Sequence, residues 1–110
     1  MKKDEYFFEY PDFNNVKEIV YHVVEKYPKN TAFILKDKKG KEVNYIYKTF
    51  VDFLEDVNNL GTGLYNLGLK DKRIAVIGKN KYEWVLSFTT TLLGNMVVIP
   101  LDKGLTEIEI

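Results

Sequence analysis

The 110-residue chain contains no cysteine, which excludes a disulfide, a thiolate nucleophile and a cysteine-based zinc site. Arginine occurs once, at Arg73, so bidentate guanidinium pairing with phosphate or guanine is almost excluded as well. Net charge is also missing, because sixteen basic residues balance sixteen acidic ones. A nucleic-acid-binding domain ordinarily carries a basic excess, and no nucleic-acid partner is expected. No apolar run approaches the roughly 18 residues of a membrane span. Charges interrupt every stretch that could serve as a signal peptide after Met1-Lys2-Lys3-Asp4-Glu5. A soluble chain without a transmembrane segment, in a reducing cytoplasmic setting, is the expectation.

What is present is a core. Hydrophobic residues make up 45% and aromatic residues 15% of the chain, more than a disordered segment would hold. The length suits one domain, and a chain of this size buries about two-thirds of the surface its unfolded form exposes.

The spacing predicts a helix opening at Asn15, whose side chain with Glu18 makes a capping box. Val16, Ile19, Val20, Val23, Val24 and Tyr27 form its apolar stripe, and Pro28 stops it. Residues 31–47 read as a β-hairpin, Thr31–Leu35 and Val43–Tyr47 flanking a charged tip. Gly40 is expected to take the left-handed conformation of a bulged turn. Helical spacing returns from about Lys48 to Leu67 through Phe50, Phe53, Leu54, Val57, Leu60 and Leu64, with Gly68 as terminator. Gly61 and Gly63 inside that helix suggest a bend or the close approach of another backbone, since each costs about 1 kcal/mol relative to alanine. The second half reads as a βαβ unit. Arg73–Gly78 is a buried strand, a helix capped by Asn80 and Glu83 carries Trp84, Val85, Phe88, Leu92 and Leu93, and Met96–Ile99 is a strand ending at Pro100. Thr106 and Glu109 have capping-box spacing only a few residues before the last residue, and one isolated turn is not stable. The expectation is a helix interrupted there and continued in a longer parent. The fold class is therefore α/β, a β-hairpin plus a βαβ unit.

Chemistry is sparse. Gly61-Thr62-Gly63 lies within a helical pattern without a following lysine, unlike a phosphate loop, and Thr89-Thr90-Thr91 is likewise embedded in a helix. Gly78-Lys79-Asn80 stands at a strand-to-helix junction, where α/β sheets bind ligands. It lacks repeated glycines, and a tight turn with Lys79 solvated is favoured. His22 is the only histidine and falls on the flank of its helix. Ser87, the only serine, sits mid-helix rather than on the sharp turn a nucleophile needs. Glu55 and Asp56 fall on the polar side of the long helix and are expected to be solvated. Lys36, Lys38, Lys39 and Lys41 decorate the hairpin tip; a phosphate or membrane-surface role is the alternative there, but Asp37 and Glu42 dilute their field and a solvated tip is favoured. Tyr6, Phe7, Phe8, Tyr10 and Phe13 make residues 1–14 an aromatic arm. It either packs on the domain or covers a surface that a missing part of the parent would otherwise use. No residue is assigned a catalytic, cofactor-binding or metal-ligating role.

The segments Gly78-Lys-Asn-Lys-Tyr-Glu-Trp84 and Leu93-Gly-Asn-Met-Val-Val-Ile-Pro-Leu-Asp102 resemble the AMP-forming (adenylate-forming) acyl-CoA synthetases, the long-chain fatty acyl-CoA ligase branch most of all. Tyr27-Pro28 before a strand and Leu64-Tyr-Asn-Leu-Gly-Leu69 resemble the same family's opening segment. Ile46 departs from it, standing where the family commonly places a serine or threonine helix cap. The resemblance runs from about residue 15 to 110 and implies that these residues are the amino-terminal fragment of an AMP-binding domain. It implies a parent that joins a carboxylate to the α-phosphate of ATP, releasing pyrophosphate, and then transfers the acyl group to coenzyme A. ATP, Mg2+ and coenzyme A are thus implied for the parent and no cofactor for this fragment, because the family's phosphate loop, acidic magnesium motif, ribose-binding aspartate and mobile lysine all lie downstream. The remainder of the ligase is the implied partner, with a parent in the cytoplasm or peripheral to a membrane. A homo-oligomer formed through exposed apolar surface is expected of the fragment. The alternative is a self-standing α/β module that binds a nucleotide at the Gly78–Asn80 turn or a protein partner through its aromatic arm.

Overall fold

The computed structural model describes residues 11–106 and Ile108. Tyr6, Phe7, Phe8 and Tyr10 of the expected arm lie outside them, as does Glu109 of the expected final cap.

Helix α1 spans Val16–Lys26. Asn15 caps it by accepting the Glu18 N–H at 2.9 Å. The Glu18 carboxylate reaches back to the N–H of Asn14, one residue earlier than a standard box, also at 2.9 Å. Strands β1 (Thr31–Lys39) and β2 (Glu42–Thr49) pair antiparallel around the two-residue turn Gly40–Lys41. The hairpin is longer than expected and has no bulge at its turn. Gly40, with φ 62°, occupies the first central position, where a two-residue hairpin of one type requires glycine. The irregularity sits instead between Thr31 and Phe33 at the base.

Helix α2 spans Phe50–Asn66, and its cap corrects the sequence reading. Thr49 accepts the Asp52 N–H at 3.1 Å while Asp52 accepts the Thr49 N–H at 2.9 Å, so the helix begins two residues later than expected. Its next N–H groups donate to Asn30 and Pro28 carbonyls, which ties the helix start to the segment between α1 and β1. At the other end Gly68 (φ 78°) donates to Tyr65 and Leu69 to Leu64, the paired bonds of a Schellman stop.

Strands β3 (Arg73–Ile77) and β4 (Val97–Leu101) pair in parallel and flank α3 (Tyr82–Leu93). Two expectations fail here. Asn80 does not cap α3: Lys81 holds that position, without a side-chain hydrogen bond. Pro100 does not end β4 but lies inside it opposite Val76. It is tolerated because β4 has a strand on one side only, so the missing N–H breaks no ladder there.

Phe53 and Val57 of α2, Val76 of β3 and Met96 beside β4 are the buried apolar residues. Thr90 and Thr91 of α3 are buried more deeply still, at 1% exposure each. They sit where α3 crosses α2, and the Thr90 methyl lies 3.5 Å from where a Cβ on Gly61 would be. A side chain thus approaches Gly61, while Gly63 faces open space. The close approach occurs at Gly94, where a Cβ would stand 2.7 Å from the Met96 methyl and 3.0 Å from the Thr90 carbonyl.

Candidate functional site

Three polar side chains from three elements converge where the hairpin meets α2 and α3. Lys48 stands opposite Phe33 in the hairpin register, so both side chains share the face turned toward α2. The Lys48 ammonium meets Asp56 of α2 at 3.0 Å, and the Tyr82 hydroxyl, on the first residue of α3, donates to the same Asp56 oxygen at 2.6 Å. Beneath them the Phe33, Phe53 and Tyr82 rings form a triangle, with centroids 5.0, 5.1 and 6.2 Å apart. Lys48 also lies 5.5 Å from the Tyr82 ring centroid. This corrects the expectation for Asp56, which is half-buried and doubly bonded rather than solvated. Glu55, its neighbour, is exposed as expected.

The electrostatics follow from the contacts. The Tyr82 hydroxyl, and after it Lys48, stabilise the Asp56 carboxylate and hold its pKa below the ordinary value despite some desolvation. Burial first, and the hydrogen bond to Asp56 second, push the Tyr82 phenol well above the ordinary tyrosine value. A phenol committed as donor to a carboxylate is a poor proton acceptor, so the trio acts as a clamp between elements. Beside it a cleft of about 580 Å³ runs between β1 and the start of α3, lined by Phe33, Leu35, Lys36, Asn80, Tyr82 and Trp84 among others.

The Gly78–Asn80 turn lies at the carboxyl ends of β3 and β4, beside a smaller cleft of about 250 Å³ that Trp84, Leu101 and Asp102 also line. Gly78, Lys79 and Asn80 are exposed, and the following N–H, of Lys81, donates to the Lys79 carbonyl at 2.8 Å. Two of the threonines are committed within their own helices, while the buried Thr90 hydroxyl has no hydrogen-bond partner among the described residues. Thr62 donates to the Asn58 carbonyl and Thr91 to that of Ser87, each one helical turn back. His22 packs against Phe13 with ring centroids 5.3 Å apart, half-buried on α1, while Ser87 lies within α3. Among the described residues no group of three or more candidate ligands could hold a metal ion, and no helix is long and apolar enough to cross a membrane.

The clamp went unread in the sequence because Asp56 is eight residues from Lys48 and 26 from Tyr82. Neither spacing is a helical or hairpin neighbour relation. The one legible signal was Tyr82 itself, an aromatic with a polar tip at the foot of a helix.

A family model described as AMP-binding enzyme matches residues 20–110. The chain is 30% identical over 99 residues to the zebrafish (Danio rerio) medium-chain acyl-CoA ligase ACSF2, mitochondrial, covering 87% of this chain and 15% of that protein. It is 30% identical over 80 residues to the Arabidopsis thaliana long chain acyl-CoA synthetase 4, covering 71% of this chain and 12% of that one. Among solved structures, the fatty acid AMP ligase from Legionella pneumophila superposes with a TM-score of 0.67 at 12% identity. That match covers 87% of this chain and 16% of the other and speaks for the fold alone. The chain thus spans about one-seventh or less of the length of the relatives it matches.

Proposed function

We propose, since this chain belongs to the AMP-binding enzyme family, that it is an amino-terminal scaffold of an ATP-dependent carboxylate–CoA ligase and has no ligase activity by itself. The observation that carries this reading is the match of most of the chain to one short portion of two acyl-CoA-forming relatives at 30% identity. Residues 15–110 then belong to the AMP-binding domain and residues 1–14 form an arm ahead of it. The parent would use ATP, Mg2+ and coenzyme A, joining a carboxylate to AMP and then passing the acyl group to the thiol. No step of that chemistry is assigned to this chain's residues. Their role is to hold one another, with Asp56 gathering β2, α2 and α3. The long-chain class is proposed on the Gly78–Trp84 and Leu93–Asp102 segments, and the cytoplasm on the cysteine-free composition.

The test is fatty-acid-dependent ATP–pyrophosphate exchange. It is measured on the 110-residue chain and on a chimera in which the chain replaces the matching segment of the Arabidopsis relative. Background exchange by the chain and clear exchange by the chimera are expected. Exchange by the chain alone, or a folded chimera without any, would overturn the scaffold reading.

The remainder of the ligase is the proposed partner of the β3–β4 layer. Ile77, Val97 and Ile99 are exposed there, and the one charge on this face of the sheet pair, Arg73 opposite Val97, stands at its end. In isolation the same patch is proposed to pair two copies. Sedimentation velocity should show dimers that Val97→Lys returns to monomers; a monomer at high concentration would remove the dimer.

A further inference from the structure

The hairpin sorts its charges by side, and the sorting is invisible in the linear sequence. Cross-strand partners share a face, so the register Ile34↔Tyr47, Lys36↔Tyr45 and Lys38↔Val43 places these six side chains together. The other face carries Phe33 with Lys48, Leu35 with Ile46, Asp37 with Asn44, and Lys39 with Glu42. Both hairpin carboxylates therefore lie on the side turned toward α2, where Asp37 stands 4.0 Å from Lys39. The outer face is left with two lysines and no acid, and among the described residues no ion pair engages either Lys36 or Lys38.

The same outer face is apolar to an unusual degree for exposed surface. Ile34 is 60% exposed, Tyr47 60% and Tyr45 56%. Tyrosine and lysine share one property that isoleucine and valine lack: each has an apolar body and a polar tip, and each can lower its body into an apolar medium while the tip stays hydrated. On the β3–β4 patch the one charge, Arg73, stands at the end of the face, whereas here Lys36 and Lys38 lie between and beside the apolar side chains. A surface for aqueous solvent would not expose two tyrosines and an isoleucine side by side. We propose that this outer face of the hairpin docks on the surface of an anionic lipid bilayer. Tyr45 and Tyr47 would lie at headgroup level, Ile34 beneath them, and Lys36 and Lys38 against the lipid phosphates and carboxylates. Lys41, exposed at the adjoining tip, adds to the same field. The inference stands apart from the ligase reading, since it uses only the register, exposure and charge of the hairpin.

Co-sedimentation of the 110-residue chain with vesicles tests it, using equal parts phosphatidylserine and phosphatidylcholine against phosphatidylcholine alone. Binding to the anionic vesicles that weakens as salt rises is expected, with little binding to neutral ones. Each of Lys36→Gln and Lys38→Gln should lower partitioning about fivefold, and Tyr45→Ser with Tyr47→Ser should lower it at least as much. Lys39→Gln removes the same charge from the opposite face and should change it less than twofold. Far-UV circular dichroism confirms that the variants fold. If the double tyrosine variant unfolds, the single lysine variants and the salt series decide the matter. Equal binding to neutral vesicles, no binding to anionic ones, or equal loss with Lys39→Gln would each overturn the proposal. So would a dimer abolished by Tyr45→Ser, which would make a second copy the occupant, or saturable binding to a single-stranded oligonucleotide in place of vesicles.

Discussion

Asp56→Asn keeps the shape of the side chain but removes the charge that Lys48 and Tyr82 share. The group is about one-third exposed, so water screens part of the loss, and a destabilisation of about 1–2 kcal/mol is expected in urea titration. Tyr82→Phe removes one hydrogen bond, leaves the ion pair, and should cost about 1 kcal/mol. The pH dependence has a definite sign. Because the folded-state pKa of Asp56 is lowered, its contribution is present above the unfolded value near 4 and is lost as pH falls below it. Asp56→Asn should therefore flatten the acid limb of the stability curve. Tyr82 has the opposite shift. Its contribution holds below about pH 10 and is lost as pH rises further, because the unfolded chain ionises first. None of this could be read along the chain. The helical period placed Asp56 away from the Phe53–Val57 stripe, which is correct, yet the hairpin and the foot of α3 lean over that flank and meet it.

The elements themselves were largely legible. The Asn15 cap, the Pro28 stop, Gly68 and the run Arg73–Ile77 all carry local signals, and each element they announced is present. The errors fall where a boundary is decided by a competing cap or by sheet position. Thr49 with Asp52 makes a complete capping box that the hydrophobic period starting near Lys48 concealed. Asn80 with Glu83 has the right spacing, but the turn continues one residue further, to Lys81. Pro100 reads as a stop until β4 is seen to have one neighbour. Thr49→Ala should lower stability by about 1 kcal/mol. Gly94→Ala should cost more, roughly 1–3 kcal/mol, because one of the atoms its Cβ would strike is the Thr90 carbonyl, a backbone atom that cannot swing aside. Thermal unfolding of the two variants side by side gives the order.

At the scale of the whole molecule the fold class was legible and the extent of coverage was not. Hydrophobic periodicity shows which side of a helix is apolar but not whether anything lies over it. Val16, Ile19, Val97 and Ile99 all satisfy their patterns while remaining exposed. With less surface buried on folding, the urea dependence of stability should be shallow, near the lower end of the usual range at about 1 kcal/mol per molar. Equilibrium unfolding followed by fluorescence of Trp84 measures that slope.

The sharing of one carboxylate between Lys48 and Tyr82 has a consequence in time. On a ribosome Lys48 and Asp56 emerge almost together, and Tyr82 follows Asp56 by 26 residues, about 1–5 s later at ordinary elongation rates. During that interval the Asp56 carboxylate is held by the lysine alone, in a nascent half that the Phe33–Phe53 contact already joins, and arrival of the phenol locks the second half onto the first. Nascent chains stalled with Tyr82 still inside the exit tunnel should be cut by protease far faster than chains stalled once it has cleared.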